Sequence, residues 1–83
     1  MLIEVRASDI KAAKKDRKNG CPIEIAARRA FKCWVTAIGI DELFVGNGKS
    51  EIYALPTEAQ SFAESFDAGV KVEPFTFSVD NAY

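Results

Sequence analysis

Seven basic side chains, Lys11, Lys14, Lys15, Lys18, Arg28, Arg29 and Lys32, fall within the first 32 residues of this chain and are its densest set of like charges. If two helices present them together, they could neutralise several phosphates or dock on an acidic protein surface. A solvated helix face is the plainer account of the same residues. No aromatic is interleaved with them in residues 1–30, so the stacking that holds single-stranded nucleic acid is missing. The net charge of −1 also contrasts with the strongly basic balance usual in DNA-binding domains.

Other constellations are weaker. Cys21 precedes a helix start, a position that can lower a thiol pKa, but the chain has no histidine to serve as its base. Cys21 and Cys33 flank one expected helix, which separates them by about 18 Å at ~1.5 Å per residue and predicts two reduced thiols. Gly48-Lys49-Ser50 invites a phosphate-loop reading, yet position 43 is leucine where that motif needs glycine, and a strand-like run follows. Asp41, Glu42 and Glu51 could hold a divalent ion loosely, but are better read as keeping a sheet edge soluble. Glu64 and Asp67 lie off the apolar stripe of their helix, and a solvated carboxylate has no cause for a raised pKa.

The elements that would position these groups follow from periodicity. Leu2 to Arg6 alternates as a strand. Residues 9–18 read as a short helix capped by Ser8 or Asp9, with only Ile10 and Ala13 on its apolar side. Asn19-Gly20 stops it, and Pro22 opens a second helix over 22–33. Ile23, Ala27, Ala30 and Trp34 share one face of that helix, with Arg28, Arg29 and Lys32 elsewhere, and Glu24 and Arg28 form an i,i+4 pair. From Trp34 the period shifts to two. Strands at 34–38, 42–45 and 50–55 follow, the last pair joined by the hairpin signal Asn47-Gly48. Thr57 to Gln60 matches a capping box, and Ala59, Phe62, Ala63 and Phe66 form an apolar helical stripe. Gly69 stops that helix, and Phe75, Phe77 and Val79 line one face of a final strand.

The order β-α-α-β-β-β-α-β predicts an α+β two-layer domain: a mostly antiparallel sheet with helices on one face. Eighty-three residues make one domain, 1–83, of marginal size. Residues 1–33 carry a net +5 and residues 34–83 a net −6, so one small body should have a positive and a negative flank. No apolar run approaches the ~20 residues of a membrane span, and the first nine residues lack the apolar stretch of a secretory signal. A cytoplasmic protein without cofactor, metal or catalytic residues is the expectation. Phe44, Tyr53 or Tyr83 could lie in a homodimer interface, so monomer and homodimer are both open.

Two stretches carry a resemblance. Cys21-Pro22-Ile23 through Ala30 is one. The other runs Leu55-Pro56-Thr57-Glu58-Ala59, Phe62, Phe66-Asp67-Ala68-Gly69, Val72 and Pro74-Phe75-Thr76-Phe77. In these the chain resembles a set of small proteins of bacteriophages and prophages with no assigned activity. It departs from them by its lysine-rich stretch, Lys11 to Lys18, and by its last four residues. The resemblance implies a viral protein acting in the bacterial host cytoplasm. The expected function is a non-enzymatic interaction protein that binds and inhibits a host protein or complex, such as an anti-phage defence component of CRISPR type. The alternative is a nucleic-acid accessory protein. The basic set is the candidate partner-binding surface for either, and an enzyme would have Cys21 as its one reactive group.

Overall fold

The computed structural model describes residues 1–16, 20–39, 41–46 and 51–81. The chain runs β1 (Leu2–Val5), α1 (Ala7–Lys15), α2 (Pro22–Phe31), β2 (Trp34–Ile38), β3 (Glu42–Gly46), β4 (Glu51–Ala54), α3 (Thr57–Asp67), β5 (Phe75–Ser78) and β6 (Asp80–Asn81). This is the expected α+β architecture, with antiparallel pairing throughout the described strands. Asn47-Gly48 lies outside the described residues, but Val45 pairs with Glu51 across the turn it would make.

The strands form two ladders, β1 with β5 and β2-β3-β4-β6, which meet along the segment 75–81 that carries both β5 and β6. The Met1 ammonium donates to the Val79 carbonyl (3.1 Å) and the Val79 N–H donates to the Met1 carbonyl (2.9 Å), so the backbone of Val79 faces β1. The Leu55 N–H donates to the Asp41 carbonyl (2.8 Å), which turns the backbone of Ala54 away from β3 and toward its partner Asp80. Successive residues of a strand offer their backbone groups to opposite edges. β1 and β4 therefore lie on opposite sides of the segment 75–81, and β1 and β2 are the outermost strands.

Helix α2 packs against both of these outer strands, and also against α1 and α3. Its buried side is Ile23, Ala26 and Ala27, all 1% exposed or less, and the alanines let the backbone come close. On one flank, Arg28 Nε donates to the Val35 carbonyl (2.9 Å) and Glu24 Oε2 accepts from the Ala37 N–H (3.0 Å). These two side chains bond the backbone of β2 where a further strand would. On the other flank, Arg29 Nη2 donates to the Glu4 carbonyl on β1 (2.8 Å).

Ile3, Val5, Val35, Leu43, Val45, Phe77 and Val79 meet α2 and α3 in the core, with Ala59 and Phe62 from α3. Phe62 stacks on Phe75 at 4.7 Å, and Phe75 on Phe77 at 5.4 Å. The four phenylalanines 62, 66, 75 and 77 are thus buried or half-buried, as the stripe and the strand alternation predict.

Several local expectations are corrected. α1 begins at Ala7, and its N-cap is Arg6, not Ser8 or Asp9. Asp9 sits in the first turn and its Oδ2 accepts from the Arg6 N–H (2.8 Å). The helix ends at Lys15, because Asp16 is already extended, so it does not run to residue 18. α2 ends at Phe31, where Lys32 takes a left-handed conformation with φ 58°, a role glycine fills more cheaply. Trp34 belongs to β2 and is 61% exposed, so it is not part of α2's buried face. Thr57 is the first residue of α3 and not its cap: Pro56 precedes the helix, and Gln60 Nε2 reaches back to the Leu55 carbonyl (2.9 Å).

Asp9 is the one charged residue among the buried ones described. Arg29 closes on it with two bonds, Nη1 to Oδ1 (2.7 Å) and Nη2 to Oδ2 (2.8 Å). Burial alone would raise the Asp9 pKa, but the Arg29 bonds, the Arg6 amide and the two positive charges outweigh it and hold the carboxyl below its ordinary 3.8. Arg29→Met should leave that carboxylate buried with one amide partner and cost roughly 2 kcal/mol, since the outer edge of the guanidinium is solvated. Asp9→Asn should cost less, because Arg29 keeps the Glu4 carbonyl and water. The folded pKa lies under the unfolded one, so the pair's contribution is complete above 3.8 and drains away as pH falls through the folded value. Urea unfolding of the two variants at neutral pH and at pH near 3 checks this: the gap between wild type and Asp9→Asn should close in acid, and a gap unchanged by pH would contradict it.

Candidate functional site

The structure divides the basic set. Lys11, Lys14 and Lys15 are exposed on α1, spaced i, i+3 and i+4, so they share one helical face. None of them has an ionic partner among the described residues. Lys14 and Lys15 lie in the last turn, where a helix dipole favours cations, and this alone accounts for part of their placement. Lys11 lies a turn earlier.

Arg28 and Arg29 are committed to the fold. Besides its bond to Val35, Arg28 stands 3.8 Å from Glu24, and its guanidinium lies 4.2 Å over the Trp34 ring. Glu24 is itself shared: Oε1 accepts from the Cys21 N–H (3.0 Å) at the start of α2, and Oε2 accepts from Thr36 Oγ1 (3.3 Å) as well as Ala37. Arg29 spends donors on Asp9 and Glu4, and the Asp9 carboxylate raises its pKa further. Lys32 is exposed at the far end of α2 from Cys21, about 16 Å along the axis by the helical rise per residue. Lys18 lies outside the described residues. The face the structure assembles is therefore Lys11, Lys14 and Lys15.

The remaining candidates are placed as follows. Cys21 and Cys33 are free and half-buried. Burial raises the Cys21 thiol pKa above its ordinary 9.0, and the Glu24 and Asp67 carboxylates raise it further; amide bonds to the sulfur oppose this without prevailing. Position at a helix start does not make it a thiolate at neutral pH. Asp41 is exposed, while Glu42 and Glu51 fall on opposite faces of the sheet, because Glu42 pairs with Ala54 and Glu51 lies an odd number of residues from it. Glu51 Oε2 instead accepts from the Tyr53 hydroxyl (3.0 Å), which raises the phenol pKa. Among the described residues no cluster of three or more acidic, cysteine or histidine side chains could hold a metal ion. Tyr53 packs against Phe31 at 4.9 Å on the core side, whereas Phe44 lies on the outer face beside Gly46. Lys49, Ser50 and Tyr83 lie outside the described residues, and β4 directly after Ser50 is a strand where a phosphate loop would open a helix. No helix among the described residues is long and apolar enough to cross a membrane.

The sequence reading missed that Arg28 and Arg29 point to different strands. Consecutive residues on a helix diverge by about 100°, and the flanking strands β1 and β2 were both predicted, so the divergence was the available signal. Comparison with protein families, with curated proteins and with solved structures finds no match to this chain.

Because its thiolate is disfavoured, Cys21 should react with N-ethylmaleimide at neutral pH more slowly than a free thiol such as glutathione, and the rate should climb as pH rises toward and past 9. A Cys33→Ser background isolates it. Alkylation as fast as glutathione would contradict the raised pKa, and only a rate well above it would revive the thiol-enzyme reading.

Proposed function

We propose that this chain is a non-enzymatic interaction protein whose docking surface is the lysine face of α1. The observation that carries the reading is the contrast between the two kinds of basic residue. Both arginines of α2 are bound to backbone and carboxylates inside the fold, while Lys11, Lys14 and Lys15 stand exposed and share a face. Three like charges side by side repel one another, and an acidic partner relieves that repulsion while steering the encounter. The raised thiol pKa of Cys21 supports the same reading by weakening the nucleophile an enzyme would use.

The resemblance to phage and prophage proteins supports a bacterial host protein as the partner and steric or electrostatic blockade as the simplest action, with a defence complex of CRISPR type as one such target. A nucleic-acid accessory role is the second reading. The same lysines favour it, and the lack of an exposed aromatic beside them on α1 weighs against it.

Tagged wild type, a Lys11→Glu/Lys14→Glu/Lys15→Glu variant and a Lys71→Glu control should be compared in capture from a bacterial lysate. Wild type and control should retain one stoichiometric protein that the triple variant loses, with affinity falling roughly tenfold or more. Retention by all three would reject the lysine face. In parallel, fluorescence polarisation with DNA and RNA at low salt should stay flat; strong binding that falls steeply with salt would select the nucleic-acid reading instead.

A further inference from the structure

Resting on the lysine-face reading, the geometry points to a docking cleft beside that face which takes an acidic protein segment carrying one apolar side chain. Helices α1 and α3 both approach α2 but leave a cleft between them, with a volume of about 460 Å³. Ala13 of α1, Ile23 of α2, Leu55, and Ala63 and Phe66 of α3 supply its apolar walls. It continues past Ala13 and Phe66 into a smaller hollow of about 150 Å³ that Lys14, Gly69 and Val70 complete. Val70 is 55% exposed, an apolar side chain at the mouth with nothing from the described chain over it.

The charges on the two lips fix what fits and how it lies. The α1 lip carries Lys14, with Lys11 and Lys15 on the same helix face. The α3 lip carries the exposed Asp67. The Glu24 carboxylate at the inner end already serves the Cys21 and Ala37 amides, so it is not a free acceptor. An acidic segment is attracted to the α1 lip and repelled by the α3 lip, so it must run along α1. Its apolar side chain then drops between Ala13, Phe66 and Val70. Among the described residues Phe66 is the one aromatic in either lining, and it is half-buried, which offers no platform for successive bases. The occupant assigned is therefore protein.

The probes are a short glutamate–serine peptide with one central leucine and the same peptide with serine in place of the leucine, titrated into 15N-labelled protein. The leucine peptide should shift the amides of Ala13, Ala63, Phe66 and Val70 and bind roughly tenfold tighter than the serine peptide, the worth of burying one such side chain. Val70→Ser, a change at an exposed position, should erase most of that preference, and Asp67→Asn should tighten both peptides. Unchanged shifts across the core confirm that the variants fold. Equal binding of the two peptides, abolished by the triple lysine reversal, would overturn the cleft and leave the lysine face standing. No binding of either peptide overturns the cleft, and the lysate comparison then judges the lysine face separately. A single-stranded oligonucleotide that shifts the cleft residues and displaces the leucine peptide would also overturn it, in favour of nucleic acid.

Discussion

Helix α2 is the constraint on which the rest of the fold depends. A sheet that ends in β1 on one side and β2 on the other has two rows of unpaired backbone groups, which in a small domain invite association with other chains. Here one helix lies against both outer strands. Arg28 and Glu24 bond the backbone of β2, and Arg29 bonds that of β1. The helix can do this because adjacent residues leave it in directions about 100° apart, so an Arg-Arg pair reaches both flanks while Ile23, Ala26 and Ala27 face inward. The same arginine that reaches β1 also ties down α1 through Asp9. That tie compensates for a helix whose apolar contribution is only Ile10 and Ala13.

The use of arginine inside and lysine outside has a physical basis. A guanidinium offers several donors in a fixed plane, so Arg29 can close on both oxygens of Asp9 and still reach a carbonyl. Arg28 uses the other property of the group, standing over the Trp34 ring while its Nε bonds Val35. This explains how a tryptophan 61% exposed is held in place at the edge of the sheet. Lysine is a strongly hydrated point charge on a flexible stem, poorly suited to such bonds and well suited to a solvated face. Committing these two arginines leaves the +5 of the first 33 residues unchanged, because Asp9 and Glu24, which pair with them, are already counted in it, so the excess rests on the other basic residues.

Much of the fold was legible because local period and stop signals agreed with one another. The Ala59, Phe62, Ala63, Phe66 stripe, Gly69 beyond it, and the alternation of Phe75, Phe77 and Val79 each specify an element whose burial the structure bears out. Boundaries fared worse where a side chain acts at long range. Asp9 looked like a cap from its neighbours, but its position in the first turn is fixed partly by Arg29, twenty residues away. Thr57 fits a capping motif, yet the rigid Pro56 already sets the extended entry to the helix, and Gln60 bonds a carbonyl instead of completing the box. The division of the basic set was not legible for the same reason. A helical wheel shows that Arg28 and Arg29 leave the buried face, but not that strands wait on both sides of it.

The cleft between α1 and α3 follows from these choices. α1 is held mainly by an ion pair at its first turn, and that anchor does not draw its last turn against α3. α3 is held through Phe62 against Phe75, on the strand side of the molecule. The residues the two helices turn toward each other, Ala13 and Ala63, are too small to bridge the gap. A larger apolar residue at the half-buried position 63 would bury more surface and add stability that a domain of this size can use, whereas Ala13 is already buried. An apolar-walled cleft bordered by lysines that have no ionic partner among the described residues is the feature on which the proposed docking of another molecule rests.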